Sequence, residues 1–377
     1  FIRSPMSPSA SAALPRCMSW HGGGSEELTS PEFCCRLSGS ISSLAAAGSD
    51  EEVAQHSKDV HGSLQGILRW LDKVSERHLM RNVVTQLLRN NVPVRLVSCL
   101  ASLDFEAQKD VTRLFAAVLK IGRCVGAEDQ VFQYLQDHTQ ILDELLRGLG
   151  LPGIFPYCAQ MLRSCTMYPQ LVAQLLDKQA TSIIMNLVRH ANFDISSEAF
   201  SCLRELLLVQ KEVSSEYIED HFEDFFLSYT ELLQVEDYVT QRQSLRLLAE
   251  MLLDSSFSMV MTTYVDHAQY LQIHMNLLTD KSRMIRLEAF QLVKVFAANP
   301  YKTPQVHRIL YRNKDRLQRV LTIFAEKDQL PESVAGDVEA VMSLLQELGP
   351  PPRDKTHNRT VTAPAVVHSL ALSPPIC

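Results

Sequence analysis

The sequence predicts an all-α protein whose helices stack into a curved, horseshoe-like solenoid. Glycine is absent between Gly153 and Gly336, and proline is absent between Pro169 and Pro300. A β-sheet domain of that length would need both residue types in its turns. Within residues 192–300 the apolar residues recur at intervals of three and seven, as they do along one face of an α-helix. These observations favour an almost entirely helical domain.

The helical pattern is itself repeated. Phe200, Leu245 and Phe290 occupy the same position in three copies and are 45 residues apart at each step. A period of about 40–47 residues is typical of armadillo and HEAT repeats, in which helices stack side by side. A divergent copy around residues 156–162, and a further copy that begins at Phe105, extend the pattern toward the N-terminus. The sequence therefore predicts an armadillo/HEAT-like helical-repeat solenoid.

The limits of this domain follow from composition. Residues 1–49 are mostly small and polar and include a run of three glycines, so they are predicted to form a disordered tail. The acidic residues after Ser49 predict a helix start, and helical patterns then follow one another as far as residue 348. Residues 349–377 open with one glycine and three prolines and are predicted to form a second disordered tail. The armadillo-like domain is therefore expected at residues 50–348.

The two ends of the array are expected to differ from its centre. The helical patterns before residue 104 are irregular and predict an N-terminal cap, because a terminal repeat must present a polar end to water. Beyond the last full copy, the patterns predict three helices, at residues 303–312, 313–327 and 332–348.

Composition also excludes several classes of protein. A net charge of −7 argues against a dedicated nucleic-acid binder, and no apolar run reaches the roughly 18–20 residues that a membrane span needs. The glycine-free stretch at residues 154–335 leaves no place for a phosphate-binding loop, a dinucleotide fingerprint or an EF-hand loop. We therefore predict no cofactor, no metal site and no enzymatic activity.

The cysteines and the first residues bear on location. The nine cysteines show no metal-binding spacing, which favours reduced thiols in the cytoplasm. Residues 1–24 are rich in serine and contain no acid, a composition with some likeness to a transit peptide. The interpretation as a disordered tail is preferred, and a cytoplasmic protein is expected.

A second feature of the repeats is their basic residues. Arg242 and Arg246 are four residues apart, hence on one face of a helix that follows Tyr238. Because equivalent positions of successive repeats align along a solenoid, such residues predict a basic groove for an acidic or phosphorylated partner. The alternative interpretation, an ordinary solvated helix face, is equally compatible with the periodicity.

Several separated stretches resemble one known family. They are LDFEAQKDV (103–111), FDISSEAF (193–200), DYVTQRQSLRLLAEMLLD (237–254), MNLLTDKSRMIRLEAF (275–290) and KVFAANPYKT (294–303). The chain is similar here to the calcium-binding protein 39 family, also called the Mo-twenty-five scaffold family. The resemblance implies a horseshoe of helical repeats without catalytic activity. It also implies a scaffold that binds a pseudokinase, or a protein kinase of the sterile-twenty type, and stabilises its active conformation.

The resemblance implies a partner-binding set on the concave face, formed by Phe193, Tyr238, Arg242 and Arg246. Arg246 stands where familiar animal members carry lysine, so the charge is kept while the geometry differs. A further lysine of that face corresponds to Gln272 and is therefore lost.

The resemblance also implies a pocket for a short C-terminal peptide of the Trp-Glu-Phe type. Met275 and Arg312 match residues that line it, and Ser255 stands where the family has an arginine. The departures at Ser255 and Gln272 leave the peptide specificity open. They also leave room for a second hypothesis, a helical adaptor that organises cytoskeletal or basal-body components without activating a kinase.

Overall fold

The structure is a computed structural model that describes residues 30–327 and 330–351. Over these ranges the chain forms α-helices and two short 3-10 helices, and no strand. The first nine helices are α1 (Ser30–Ala46), α2 (Asp50–Lys73), α3 (Arg77–Arg89), α4 (Val92–Ser98), α5 (Phe105–Cys124), α6 (Glu128–Asp137), α7 (Gln140–Gly148), α8 (Phe155–Cys165) and α9 (Pro169–Asp177). They are followed by α10 (Ala180–Val188), α11 (Phe193–Leu208), α12 (Lys211–Asp220), α13 (Phe222–Leu233), α14 (Tyr238–Leu252), α15 (Ser258–Asp266), α16 (Ala268–Leu277), α17 (Arg283–Ala298), α18 (Pro304–Lys327) and α19 (Glu332–Glu347).

The helices form five consecutive triplets, α3–α5, α6–α8, α9–α11, α12–α14 and α15–α17. The third helix of each triplet contacts the third helix of the next, so α5, α8, α11, α14 and α17 stack in order. Helix α2 contacts α5 at one end of this stack, and α19 contacts α17 at the other. We call the stacked helices the ladder helices. The prediction of an all-α, armadillo-like helical-repeat fold is confirmed.

The repeated apolar positions are the core of this stack. Phe200, Leu245 and Phe290 are all buried, and so is Val111 at the matching place in α5. Apolar side chains at these positions pack between neighbouring ladder helices, which is why the period in the sequence matches the step of the solenoid.

Polar caps fix where four of the five ladder helices begin, namely α5, α11, α14 and α17. The side chain of the residue before the helix accepts a hydrogen bond from a backbone N–H of the first turn at Asp104, Asn192, Asp237 and Ser282. Such a cap satisfies one of the unpaired N–H groups at a helix N-terminus. The residue after each cap is thereby held at the end of its helix, in the same place in successive repeats.

The prediction of a disordered tail over residues 1–49 is wrong for the part that forms α1. Its residues Cys34, Leu37, Ile41 and Leu44 are buried, and the helix packs against α2. These apolar residues recur at three- and four-residue intervals between serines, so tertiary packing outweighs the low helix propensity of the serines. The array therefore extends further toward the N-terminus than expected. Residues 1–29 lie outside the described residues.

Arg95 of α4 adds polar contacts that hold α1 in place. Its guanidinium donates to the Ser38 hydroxyl at 2.7 Å, to the Ser38 carbonyl at 3.1 Å and to the Ser42 hydroxyl at 2.7 Å. Three donor contacts from one planar group fix the orientation of α1 against the first triplet.

The C-terminal end also differs from the prediction. The helices expected at residues 303–312 and 313–327 are one continuous helix, α18, which contains no glycine and has its proline at the first position. Asn313, at the expected break, donates its side-chain amide to the Ile309 carbonyl at 2.8 Å and continues the helix. The last expected helix is present as α19. Most of the second predicted tail, residues 352–377, lies outside the described residues.

Helix α19 is joined to the ladder by a buried ion pair. Lys294 of α17 is 3% exposed and its Nζ lies 2.6 Å from Oδ2 of Asp337 on α19. A buried ammonium needs such a partner because its desolvation is costly. None of the described helices is long and apolar enough to cross a membrane.

Candidate partner-binding surfaces

The first predicted surface begins with two exposed aromatic rings. Phe193 is the first residue of α11 and Tyr238 is the first residue of α14. They are 65% and 43% exposed, so neither is a core residue. Large aromatic side chains that are left in water at the ends of neighbouring helices are typical anchors for a protein partner.

The two predicted arginines lie one and two turns further along α14. Arg242 has its Nε 3.7 Å from Oε1 of Glu288 on α17, and Arg246 has its Nε 3.5 Å from Oε1 of Glu250 on α14. Glu250 also accepts a hydrogen bond of 2.7 Å from Arg204 on α11. One network of charges therefore links three ladder helices. We call Phe193, Tyr238, Arg242 and Arg246 the ladder surface.

Glu288 is the most buried member of this network, at 5% exposure. Burial raises the pKa of its carboxyl, while the charges of Arg242 and Arg246 lower it and Glu250 raises it further. The Nε of Arg242 is buried and donates no hydrogen bond within the described residues. Both arginines remain about one third exposed. The network thus holds the arginines in position while leaving N–H donors available to a carboxylate or phosphate.

The second predicted set lies on two other helices. Met275 is on α16, half-buried against the core, and Arg312 is exposed on α18. Helices α16 and α18 are in contact. Gln272 is exposed three residues before Met275, so the structure places it with Met275 on α16 and not on α14 with the ladder surface. Ser255 is exposed in the 3-10 helix Ser255–Phe257, which follows α14. We call Met275 and Arg312 the α16–α18 surface.

The described cavities lie away from both predicted surfaces. Two small apolar voids lie inside the array, one among α3, α4 and α5 and the other among α8, α9, α10 and α11. Their linings are almost entirely apolar and lie within the core, which is typical of packing gaps.

His274, the residue before Met275, belongs to a buried aromatic cluster. His274 is completely buried, and its Nε2 is 2.7 Å from the hydroxyl of Tyr264. Tyr264 stacks on Tyr270 with ring centroids 4.4 Å apart. Burial lowers the pKa of His274 to about 3, so the imidazole is neutral at physiological pH.

Sequence reasoning missed the acids of the ladder surface. Glu288 and Glu250 were not singled out, although each interrupts an apolar stretch of its ladder helix, where a charge needs a partner. Among the described residues, no three His, Cys, Asp or Glu side chains converge in a way that would hold a metal ion.

Comparison with known proteins identifies the family of this chain. The sequence matches the Mo25-like family over residues 23–349. The chain belongs to the Mo25-like family.

Two relatives show how far the similarity of this Mo25-like chain extends. It is 33% identical over 303 residues to calcium-binding protein 39-like of Homo sapiens. The aligned region covers 79% of this chain and 89% of that protein. It is 36% identical over 274 residues to the Mo25-like protein of Schizosaccharomyces pombe, which covers 73% and 82%. A crystal structure of computationally designed armadillo repeat proteins covers 67% of this chain and 98% of that one, with 13% identity and a TM-score of 0.42.

Proposed function

We propose that this Mo25-like chain is a non-catalytic scaffold that binds a protein kinase or pseudokinase of the sterile-twenty type in the cytoplasm. The partner contacts the ladder surface, and its active conformation is the one that fits. The observation that carries the proposal is the exposure of Phe193 and Tyr238 beside Arg242 and Arg246, all on two adjacent ladder helices. Buried aromatic and arginine side chains supply most of the affinity in protein interfaces.

The scaffold activates by population shift. A kinase exchanges between an inactive and an active conformation, and a surface that binds only the active one raises its population. Differential binding of about 3 kcal/mol changes the ratio of the two conformations more than a hundredfold. A rigid surface favours this mechanism, because it is the partner rather than the scaffold that must adapt. The pairing of Arg242 with Glu288 on the next ladder helix supplies such rigidity.

The α16–α18 surface provides a second contact, for a short C-terminal peptide of the Trp-Glu-Phe type. The thioether of Met275 offers a polarizable apolar seat for an indole ring. Arg312 would pair with the glutamate of the peptide. The two residues lie on helices that touch, and Met275 is half-buried rather than sealed in the core.

The ladder surface is tested by stimulation of a purified sterile-twenty-type kinase from the same genome. Arg242→Ala alone would leave the Glu288 carboxylate buried without its partner, so the double variant Arg242→Ala/Glu288→Gln is the informative one. It should abolish stimulation with an unchanged circular dichroism spectrum. Arg81→Ala, which removes an exposed arginine on α3, is the control and should stimulate like the wild type. Full stimulation by the double variant would contradict the proposal.

The α16–α18 surface is tested by calorimetry with a synthetic peptide that ends in Trp-Glu-Phe. Met275→Glu places a carboxylate in the apolar seat and should remove binding. Met259→Glu, on an exposed methionine of α15, is the matched control. Equal affinity for the two variants would show that the peptide does not bind at Met275.

The second hypothesis, a cytoskeletal or basal-body adaptor, makes a different prediction for the same variants. Affinity capture with the wild type and with Arg242→Ala/Glu288→Gln would then recover the same cytoskeletal proteins and no kinase. Recovery of a kinase or pseudokinase by the wild type alone would decide for the scaffold proposed here.

A further inference from the structure

The sequence pattern of the ladder surface occurs a second time, on α5. Helix α14 begins with an aromatic residue followed by basic residues four and eight positions later, Tyr238, Arg242 and Arg246. Helix α5 begins in the same way, with Phe105, Lys109 and Arg113. The other three ladder helices, α8, α11 and α17, lack the combination. We call the second set the α5 trio.

The α5 trio is more exposed than its counterpart on α14. Phe105 is 63% exposed, and the side chains of Lys109 and Arg113 are 49% and 57% exposed. An interval of four residues is slightly more than one helical turn, so the three side chains form one stripe that is roughly 12 Å long. An exposed phenylalanine at the head of a basic stripe costs free energy in water unless a partner covers it.

The aromatic ring of the trio is held in place. Phe105 meets Tyr157 of α8 edge to face, with ring centroids 6.2 Å apart. The Nζ of Lys109 lies over the same ring, 5.1 Å from its centroid. The Asp104 cap fixes the backbone just before it. The ring is therefore presented to solvent in a defined orientation, as an interface anchor is.

The charges of the trio define what can bind. Lys109 pairs with Glu106 at 3.3 Å, and Arg113 pairs with Asp110 at 3.2 Å, both within α5. The Lys109–Glu106 pair is exposed on both sides, so it is weak and exchanges readily for another carboxylate. Asp110 is buried and also lies 3.2 Å from His61, so it holds Arg113 in place while the arginine side chain stays 57% exposed. The exposed Glu106 disfavours a continuous polyanion such as nucleic acid or an anionic lipid surface, whereas separate carboxylates can still reach Lys109 and Arg113.

We infer that the α5 trio is a second docking site, which binds an acidic segment of a protein partner with one apolar side chain and two carboxylates along one face. The apolar side chain packs on Phe105 and Tyr157, and the carboxylates pair with Lys109 and Arg113. The inference does not depend on the partner being a kinase. Three stacking steps of about 8–10 Å separate α5 from α14, so the two sites lie roughly 25–30 Å apart. One globular domain is wide enough to reach both.

The experiment counts binding sites on the full chain by calorimetry. The probe is a synthetic helical peptide with one tryptophan and with glutamates four and eight residues after it, and the control peptide carries glutamine in place of each glutamate. The wild type should bind two probe molecules. Lys109→Glu and Phe105→Ala should each lower the number to one. Arg81→Glu on α3 should leave it at two, and the glutamine peptide should bind at least about tenfold more weakly.

The outcomes separate this inference from the proposed function. If Arg242→Ala/Glu288→Gln removes all binding and the α5 variants remove none, the α5 inference is overturned while the ladder surface stands. If the α5 variants remove one site and the double variant removes none, the inference stands and the ladder surface loses its support. Absence of peptide binding, or binding of phosphatidylserine vesicles in its place, overturns the inference. Phe105 and Lys109 are both exposed, so these variants are expected to fold, and circular dichroism checks this.

Discussion

The ladder surface and the α16–α18 surface hold their aromatic and charged groups in opposite ways. On the ladder surface the rings of Phe193 and Tyr238 are exposed. Arg242 pairs with Glu288 on the neighbouring helix, and Arg246 pairs with Glu250 on its own helix. The groups of the first surface are therefore held in place by contacts within the protein.

At the α16–α18 surface Arg312 is exposed, whereas His274, the residue before Met275, is buried together with the rings of Tyr264 and Tyr270. Under the proposed function, the second surface combines a buried aromatic cluster, which we call the aromatic floor, with a ring that the partner supplies.

The comparison predicts that the aromatic floor matters most for stability. His274→Ala should lower the free energy of unfolding by about 3–4 kcal/mol, because it leaves a cavity and strips the buried Tyr264 hydroxyl of its partner. Chemical denaturation followed by circular dichroism measures the loss. His78→Ala, at an exposed histidine, is the control and should change stability little. A loss as small as that of the control would mean that the α16–α18 surface has no rigid floor.

Acidic pH should reduce the stability that His274 contributes to the aromatic floor. The folded pKa of His274, about 3, lies below its ordinary value of 6.5, so the unfolded chain binds the extra proton more readily. Stability from this residue is fully present above pH 6.5 and is lost as the pH falls from 6.5 toward 3. The loss should reach about 2 kcal/mol at pH 5. Between pH 6.5 and pH 3, the free energy of unfolding should fall more steeply with decreasing pH for the wild type than for His274→Gln. Identical pH dependence of the two proteins would contradict the assignment.

A smaller effect on stability is expected from Glu288, the acid that pairs with Arg242 of the ladder surface. Glu288→Gln should change the free energy of unfolding by less than about 1 kcal/mol, since burial already disfavours the ionised carboxylate and glutamine keeps its shape. Partner binding should nevertheless weaken, because Arg242 loses the acid that positions it. Denaturation and kinase stimulation, measured on the same preparation, separate the two effects. A stability loss of about 3 kcal/mol would instead make Glu288 a structural residue.

The smallest stability effect is expected at the exposed aromatic rings. Tyr238→Ala should alter the free energy of unfolding by less than about 0.5 kcal/mol, because its ring contributes little to the core. Kinase stimulation should fall strongly all the same. Tyr264→Ala, at a fully buried tyrosine, provides the contrast and should unfold far more easily. If the two variants were equally stable, the exposed ring of Tyr238 and the buried ring of Tyr264 would contribute equally to stability, and the contrast between the two surfaces would be wrong.

The fold was largely predictable because its period is carried by single residues. Phe200, Leu245 and Phe290 are each buried at the same step of the ladder, and the 45-residue spacing is visible without any structure. Helix α1 was missed because serines separate its few apolar residues, and only its packing on α2 decides that it is a helix. The division of α18 failed for a simpler reason, since nothing at Asn313 stops a helix.

The site was predictable only in part. The exposure of Phe193 and Tyr238 agrees with a binding role, and the resemblance to a known family located both. The partner of Arg242 was not predictable, because Arg242 and Glu288 lie on different helices and their contact depends on how those helices are rotated and spaced. The pattern of the α5 trio, by contrast, is visible in the sequence alone. Its equivalence to the pattern on α14 can be recognised only when α5 and α14 are known to belong to the same stack.

Several of the hydrogen bonds that link neighbouring repeats join two residues that are about one repeat apart in the sequence. Thr85 bonds to Gln130 across 45 residues, Arg204 to Glu250 across 46 and Lys294 to Asp337 across 43. A folding chain therefore needs to close loops of only about one repeat to form them, and loops of this length close at modest entropic cost. Folding can then begin at any repeat and spread to its neighbours. Hydrogen exchange should be slowest in the central repeats and faster toward α1 and α19, where a repeat has a neighbour on one side only.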